Sequence, residues 1–238
     1  MKLDLLAFAA HPDDVELSCA GTMIKQMQAG YKTGIIDLTR GELGTRGSAA
    51  IREQEAALAT KILGLSVRDN LNMRDGYFEV SEENKLAIVK MIRKYKPEVI
   101  LANAPSDRHP DHGRASKLVS DACFLSGLVK VSTSMDGKEQ EIWRPRAVYF
   151  YIQDRRLNPD FIVDVSDVME KRIEAIMTFS SQFYNPASTE PDTAISSKQF
   201  LEGLKSRALE FGRLIGTEYG EGFITERTSG VNDIFQLL

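Results

Sequence analysis

Residues 3–10 read LDLLAFAA, and the next four residues (11–14) read HPDD. The first segment is short and almost wholly apolar, which is typical of a strand buried on both faces of a sheet. In parallel α/β sheets the ligand site lies at the carboxyl ends of such strands. A buried strand that runs directly into a polar turn therefore predicts a sheet of this kind, with the turn at a functional site.

Apolar segments alternate with segments of helical periodicity over the first 130 residues. Because parallel strands need long crossover connections, this alternation predicts an α/β fold with three layers: a Rossmann-like, mostly parallel sheet with helices on both faces. The predicted strands are 3–10, 33–38, 67–71, 99–102, 146–153 and 161–165, and the predicted helices are 15–28, 49–63, 82–95, 113–129, 168–179 and 198–215.

We expect a single domain over residues 1–238. In it, residues 1–130 form the Rossmann-like half with the histidine motifs, and residues 131–238 form a C-terminal extension. The periodicity of the second predicted helix places Ile51, Leu58 and Ile62 toward the core.

The bulk composition disfavours several classes of function. The chain has 238 residues, a formal net charge of -4 and 42% hydrophobic residues, so nothing indicates nucleic acid as a main partner. No apolar run approaches the ~20 residues that cross a bilayer, and no signal-peptide pattern is present. Two cysteines in such a chain are typical of reduced thiols, and we expect a cytoplasmic protein with no nucleic-acid or membrane partner.

All three histidines of the chain lie in two similar motifs. HPDD (residues 11–14) follows the first predicted strand, and HPDH (residues 109–112) follows the fourth. In a doubly wound sheet these two strands are neighbours where the winding reverses, so their carboxyl ends line one crevice. We therefore expect the two motifs to meet in space although they are far apart in sequence.

Imidazole and carboxylate side chains together favour zinc or a similar divalent cation. A catalytic zinc site needs three protein ligands and one open position, which would leave further histidine and aspartate side chains for proton transfer. A single HPD tripeptide also occurs by chance in surface loops, so either motif alone is equally compatible with a structural role. Here two motifs of similar composition follow two strands that are predicted to be neighbours, and together they contain every histidine of the chain. This combination indicates a metal site.

The segment AHPDDVE (residues 10–16), with HPDH (residues 109–112) downstream, resembles the LmbE-like zinc N-deacetylases. Within this family the chain is most similar to the deacetylases of the bacillithiol pathway, which act on N-acetylglucosaminyl malate. Further matching segments are TRGE (39–42), GTRG (44–47), the pair Arg52 and Glu55, and SQFY (181–184). The resemblance covers at least residues 3–125.

The resemblance implies one zinc ion per chain, a small-molecule amino-sugar substrate and a homo-oligomer. It also implies a role for eight side chains. The residues that would bind the metal are His11, Asp14 and His112. The general base would be Asp13, the oxyanion would be stabilised by His109, and Asp111 would orient His109. The sugar hydroxyls would be bound by Glu42 and Arg52.

Arg108 departs from part of the family, because some relatives carry a tyrosine at this position. A guanidinium there would suit an anionic aglycone such as malate, and we assign Arg108 to substrate binding.

Three alternatives stay open from the sequence. The chain could be a metal-dependent phosphoesterase, a deacetylase of another N-acetylated sugar such as chitooligosaccharides, or a sugar-binding module with a structural zinc. Phosphoesterase sites commonly hold two metals, and the histidines are too few for a second one. The apolar C-terminal residues 234–238 are interpreted as a packing or assembly element.

Overall fold

One seven-stranded sheet crosses the molecule, with helices on both of its faces. The structure is a computed structural model and describes residues 1–236. In chain order the elements are β1 (Leu5–Ala9), α1 (Asp14–Gln28), β2 (Thr33–Thr39), α2 (Ala49–Leu63), β3 (Val67–Met73), α3 (Glu82–Tyr95), β4 (Val99–Asn103), α4 (Pro110–Ser126), β5 (Ser134–Met135), β6 (Lys138–Glu139), β7 (Ala147–Tyr151), β8 (Phe161–Asp164), α5 (Met169–Met177), α6 (Lys198–Leu214) and β9 (Gly220–Thr225).

The order of strands in the sheet is β3-β2-β1-β4-β7-β9-β8, and β5 and β6 form a separate hairpin. The first five strands of the sheet are parallel, whereas β9 is antiparallel to both of its neighbours. β1 lies between β2 and β4, so the winding reverses beside β1 as predicted. The α/β fold with a mostly parallel sheet is confirmed, and both halves of the chain contribute strands to it.

The side chains of β1 show why both faces of the sheet are covered. Leu6 and Phe8 pack into the core formed with α3 and α4, and Leu5 and Ala7 pack into the core formed with α1 and α5. Because successive strand residues point to opposite faces, a strand that is apolar throughout must be buried on both. The apolar segment that opens the chain thus places β1 at the centre of the molecule.

The prediction for the inner face of α2 is wrong for Ile51 and Leu58, whereas Ile62 is partly buried and packs against the core as predicted. Ile51 and Leu58 are 43% and 51% exposed, while Arg52 and Glu55 are buried. The carboxylate of Glu55 accepts a hydrogen bond from the backbone N–H of Ser181 at 2.7 Å. Polar contacts with a distant loop, which periodicity does not register, decide which face of this helix is buried.

Besides the short hairpin strands β5 and β6, which the prediction lacks, two further elements differ from it. Strand β9 is absent from the predicted set, because its sequence GEGFIT contains two glycines, and glycine is uncommon inside strands. One of them is required by packing, since a Cβ on Gly222 would lie 2.9 Å from the ring of Phe211. Helix α4 begins at Pro110, so His112 lies in its first turn and not in the preceding loop.

Among residues 1–236, none of the helices has the length and apolar composition that a membrane span requires. Ile234 and Phe235, in the proposed C-terminal packing element, are exposed. Residues 237–238 of that element lie outside the described residues.

Candidate active site

A cavity of about 450 Å³ opens at the carboxyl ends of β1 and β4. Its position follows from the reversal of winding beside β1. Of the nine side chains assigned from sequence, all but Glu42 and Asp111 line it; the seven are His11, Asp13, Asp14, Arg52, Arg108, His109 and His112.

Asp14 lies between two histidines at the floor of the cavity. One carboxylate oxygen is 3.6 Å from Nδ1 of His11, and the other is 3.2 Å from Nε2 of His112. The three side chains come from the end of β1, the start of α1 and the first turn of α4, and all three are buried. The structure thus brings together the three residues assigned to the metal, and their role as ligands stays a prediction.

The opposite nitrogen of each histidine is held by buried carboxylates. Nδ1 of His112 lies 2.5 Å from Asp107, while Nε2 of His11 lies 3.0 Å from Asp75 and 3.2 Å from Asp111. A carboxylate on the far nitrogen of a metal-binding histidine fixes the tautomer and orients the ring. Both rings are therefore oriented with one nitrogen toward Asp14.

These carboxylates change the acidity of both imidazoles. Burial alone would lower the pKa of His112, but Asp14 and Asp107 outweigh it and raise that pKa to about 9. The pKa of His11 is also raised, because Asp111, Asp14 and Asp75 outweigh burial. Without a cation, the excess of buried negative charge is thus balanced by protons on the two rings.

The donor set fits a borderline divalent cation such as zinc. Tetrahedral ligands about 2.0–2.1 Å from zinc are roughly 3.4 Å apart. The nitrogens of His11 and His112 lie 3.6 and 3.2 Å from opposite oxygens of the Asp14 carboxylate, which is a similar spacing. The three histidines, His109 included, offer nitrogens within 4.8 Å of one another, and so do donor atoms of His11, Asp75 and Asp111. We attribute the second grouping to orientation of the His11 ring, because both carboxylates contact the nitrogen farther from Asp14.

Two amide side chains fix the carboxylate of Asp14. Asn103 donates to one oxygen at 3.0 Å and Gln153 donates to the other at 2.7 Å. Asn103 also accepts from the backbone N–H of Ala10 at 2.9 Å, which ties the end of β4 to the end of β1. Asp14 is thus held in place by side chains at the carboxyl ends of β4 and β7. Its pKa lies well below the usual range, because the two histidines outweigh the effect of burial.

Asp13 is buried beside Asp14 and has an unusual backbone conformation, with φ at 125°. A non-glycine residue in this region is strained, and such strain often occurs at functional sites. Burial raises the pKa of Asp13 to about 7, although the guanidinium of Arg52, 3.9 Å away, favours the charged form. A carboxylate with a pKa near neutrality is suited to general-base catalysis.

The predicted partnership of His109 and Asp111 is wrong in its geometry. The Asp111 side chain contacts Arg114, the N–H of Gly76 and His11, and only its backbone N–H reaches Nδ1 of His109, at 3.3 Å. The carboxylate is drawn away from His109 because Arg114 lies one turn further along α4. The carboxylate of Asp111 therefore orients His11, and only the backbone amide of this residue contacts His109.

A protonated His109 is also disfavoured. Burial lowers its pKa, and the positive charges of His11 and His112 lower it further. Because Nδ1 accepts a backbone N–H, the neutral ring would carry its proton on Nε2. His109 lines the cavity and can donate a hydrogen bond from that atom without being charged.

The two residues assigned to sugar hydroxyls have different surroundings. Arg52 is buried, lines the cavity and donates to the side-chain oxygen of Gln182. Glu42 is exposed and accepts from the backbone N–H of Asp75 at 2.8 Å, outside the cavity wall. The structure thus does not support direct sugar binding by Glu42, which instead fixes the loop that carries Asp75.

The outer part of the cavity is built by the loop after β7 and by α6. The half-exposed side chain of Arg108 pairs with Asp154, and Arg207 donates to the carbonyl of Asp154 at 2.8 Å. Apolar residues line the cavity beside these arginines; they are Leu17, Ile195, Phe200 and Leu204. This part of the site combines cationic and apolar surface.

The sequence interpretation missed four polar residues that orient the histidines and Asp14. Each lies at or just after the carboxyl end of a parallel strand: Asn103 ends β4, and Asp75, Asp107 and Gln153 follow β3, β4 and β7. The rule that brought the two histidine motifs together applies equally to these positions. Arg207 lies on a helix of the second half, and no local sequence signal indicates it.

The chain is similar to known deacetylases. A family model described as PIG-L, GlcNAc-PI de-N-acetylase, matches residues 6–123, which include both histidine motifs. Diacetylchitobiose deacetylase of Thermococcus kodakarensis is 29% identical over 228 residues, which cover 92% of this chain and 81% of that protein. A probable N-acetyl-alpha-D-glucosaminyl L-malate deacetylase 2 of Bacillus anthracis is 27% identical, over 73% of this chain and 78% of that protein.

Among solved structures, the conserved protein TT1542 from Thermus thermophilus superposes with a TM-score of 0.85. It is 35% identical, and the match covers 97% of this chain and 98% of that one. The likeness therefore extends through the second half of the chain, beyond the region that the family model matches.

Proposed function

Because the chain belongs to the PIG-L/LmbE-like family of deacetylases, we propose that its cavity removes the acetyl group from an N-acetylglucosamine conjugate with an anionic aglycone, such as N-acetylglucosaminyl malate. The chain is an N-deacetylase of GlcNAc-type substrates. The observation that carries the proposal is that a single cavity gathers His11, Asp14 and His112 with Asp13 and His109.

His11, Asp14 and His112 would hold the cation, which we propose to be one zinc ion per chain. When bound, such a cation polarises the acetyl carbonyl and acidifies water at the site. Asp75 and Asp111 orient the ring of His11, and Asp107 orients the ring of His112.

Asp13 acts as the general base. Water attacks the acetyl carbon while the Asp13 carboxylate takes a proton from it, and the carbon–nitrogen bond of the amide then breaks. The leaving amine receives the proton that Asp13 holds, so acetate and a free amino sugar result. A pKa near 7 lets this carboxyl both accept and return a proton at neutral pH.

His109 stabilises the negative charge that develops on the carbonyl oxygen. Its Nε2–H is the donor, since Nδ1 accepts the backbone N–H of Asp111. A donor that is already oriented toward the site stabilises the transition state without reorganisation. His109 stays neutral throughout the reaction.

Arg52 and Arg108 contact different parts of the substrate. Arg52 lies beside Asp13 at the inner end of the cavity, and we assign it to the sugar hydroxyls. The side chain of Arg108 is 51% exposed, so it can exchange its ion pair with Asp154 for a carboxylate of the aglycone.

A neutral second sugar is the second candidate aglycone. Tyr77 lines the cavity and is 61% exposed, so its ring can pack against a sugar face. The relative from Thermococcus kodakarensis is named a diacetylchitobiose deacetylase, which also favours a sugar as the aglycone.

Acetate release from N-acetylglucosaminyl malate and from N,N'-diacetylchitobiose, with and without a chelator, tests the proposal. We expect a preference for the malate conjugate that is lost in Arg108→Gln and kept in the control Arg144→Gln, which lies outside the cavity. A preference for diacetylchitobiose that Arg108→Gln leaves unchanged would support the neutral sugar. Phosphate release from a generic ester without acetate release would indicate a phosphoesterase.

A further inference from the structure

Helix α1 is interrupted at Cys19, whose backbone angles (φ -145°, ψ 21°) are not helical. The interruption separates a first short turn from the rest of the helix. We call residues 13–18 the catalytic turn, because it carries Asp13 and Asp14. The turn is bounded by the strained backbone of Asp13 at one end and by Cys19 at the other. Its direction is therefore set separately from that of the longer part of α1.

A buried ion pair occupies the break. In a continuous helix the N–H of Gly21 would donate to the carbonyl of Leu17. Here the N–H of Gly21 donates to Glu221 at 2.9 Å. The carbonyl of Leu17 accepts instead from Arg172 at 2.6 Å. Arg172 and Glu221 pair with each other at 2.9 Å, so the two charges separate a donor and an acceptor that would otherwise bond.

Glu221 also caps the second part of the helix. Its carboxylate accepts from the backbone N–H and the hydroxyl of Thr22, both at 2.7 Å. A negative charge at a helix N-terminus is favourable, and it satisfies amides that the break leaves without a helical partner. Position 21 is crowded, since a Cβ on Gly21 would lie 2.7 Å from the side chain of Val165 and 3.0 Å from Glu221.

The catalytic turn is held by a second buried arginine as well. Glu16, fully buried, pairs with Arg68 at 2.6 Å, and Arg68 also pairs with Asp37 at 2.7 Å. Arg172 thus binds the turn through a backbone carbonyl, and Arg68 binds it through a side chain. Buried ion pairs contribute little net stability compared with apolar residues, whereas they can specify one geometry.

We propose that Arg172 and Glu221 are positioning residues, which keep α1 interrupted and so place the carboxylates of Asp13 and Asp14 in the cavity. They act through the backbone of the catalytic turn and touch neither the substrate nor the metal-site side chains. The inference rests on the proposed function, because it assigns the pair to the metal site and the base of that reaction.

The test replaces the pair by apolar residues of similar length, Arg172→Met with Glu221→Leu. The carbonyl of Leu17 and the amide of Gly21 can then bond to each other and close the helix. Because replacing a buried ion pair by packed apolar residues is often neutral, we expect a folded protein with a melting temperature near that of the wild type. Zinc affinity, measured by competition with a chromogenic chelator, should fall about 10- to 100-fold. At saturating zinc, kcat should fall roughly 100-fold with KM unchanged.

Arg93→Met is the matched control. Arg93 is a buried arginine on α3 that donates to the carbonyls of Ser126 and Leu128, far from the catalytic turn. Its replacement should lower the melting temperature and leave zinc affinity and kcat unchanged. Gly21→Ala is a second test variant: it keeps both charges but crowds the break, and it should weaken zinc binding in the same direction as the double variant.

A double variant with wild-type zinc affinity and kcat would overturn the inference, and so would one that does not fold, since the pair would then be needed for the fold itself. Wild-type protein that neither binds zinc nor releases acetate would instead overturn the proposed function. The two failures are distinguished by the wild-type measurement alone.

Discussion

Nδ1 of His112 lies 2.5 Å from a carboxylate oxygen of Asp107. The other oxygen of Asp107 accepts the backbone N–H groups of Asp154 and Arg155, at 3.2 and 2.8 Å. One carboxylate therefore orients the imidazole that faces Asp14 and fixes the loop after β7. Asp107 thus links the metal site to the outer part of the cavity.

Replacing Asp107 with alanine should weaken zinc binding about 10- to 100-fold, because the ring of His112 loses both its orientation and the charge that makes it a better ligand. The measurement is competition with a chelator of known affinity. Asp121→Ala, which removes a surface carboxylate paired with Lys85 and Lys117, should leave the affinity unchanged. Equal affinities in the two variants would show that Asp107 does not act on the metal site.

Asp13→Asn should keep zinc and lose most turnover. The substitution preserves the shape of the side chain but removes the proton acceptor, and loss of a general base typically costs 10²- to 10⁴-fold in rate. Zinc content by atomic absorption and kcat from acetate release are measured on the same preparation. Turnover at the wild-type rate would mean that another group takes the proton.

Protein stripped of metal should lose stability as the pH rises. In the folded state Asp14 and Asp107 outweigh burial and hold the pKa of His112 at about 9, against an unfolded value of about 6.5. The folded state binds the extra proton, so this contribution is complete below pH ~6.5 and is lost as the pH rises through ~9, up to about 3 kcal/mol. Denaturant unfolding of chelator-treated protein at pH 6 and pH 9.5 measures it.

The zinc-loaded protein is the control for this pH dependence. Metal binding requires the neutral imidazole, so its stabilising effect should grow with pH instead of declining. The same downward trend in both forms would contradict the assignment of His112 to the metal.

Gln182→Ala should raise KM roughly 10-fold, with a smaller effect on kcat. A roughly 10-fold change corresponds to the free energy of about one hydrogen bond to a charged group. Gln182 accepts from Arg52 and donates to the carbonyl of Arg46 at 2.8 Å, so its loss frees the guanidinium assigned to the sugar. Gln140→Ala, which removes a bond to the backbone of α3, is the control and should leave KM unchanged. A drop in kcat at constant KM would place Arg52 in the chemical step.

The fold and the meeting of the histidine motifs could be predicted because both follow from local patterns. An apolar strand followed by HPDD gives a buried parallel strand with a polar turn, and parallel topology places the carboxyl ends of neighbouring strands together. The same rule, applied to every strand end, also indicates Asp75 and Gln153.

The remaining features depend on contacts that no local pattern contains. The break in α1 is held by Glu221, about 200 positions away, so periodicity alone predicts a continuous helix. The role of Asp111 as the residue that orients His109 was taken from the family resemblance, whereas in the structure its carboxylate contacts His11. In each case the partner is chosen by tertiary packing of buried charges, which must find a counter-charge wherever the fold supplies one.

Acetate release from N-acetylglucosaminyl malate by metal-stripped protein, titrated with zinc, tests the central claim most directly. We expect no activity without metal and a rise in activity that saturates at one zinc ion per chain, with none recovered in His112→Ala. Full deacetylation by rigorously stripped protein, or unchanged activity in His112→Ala, would contradict it.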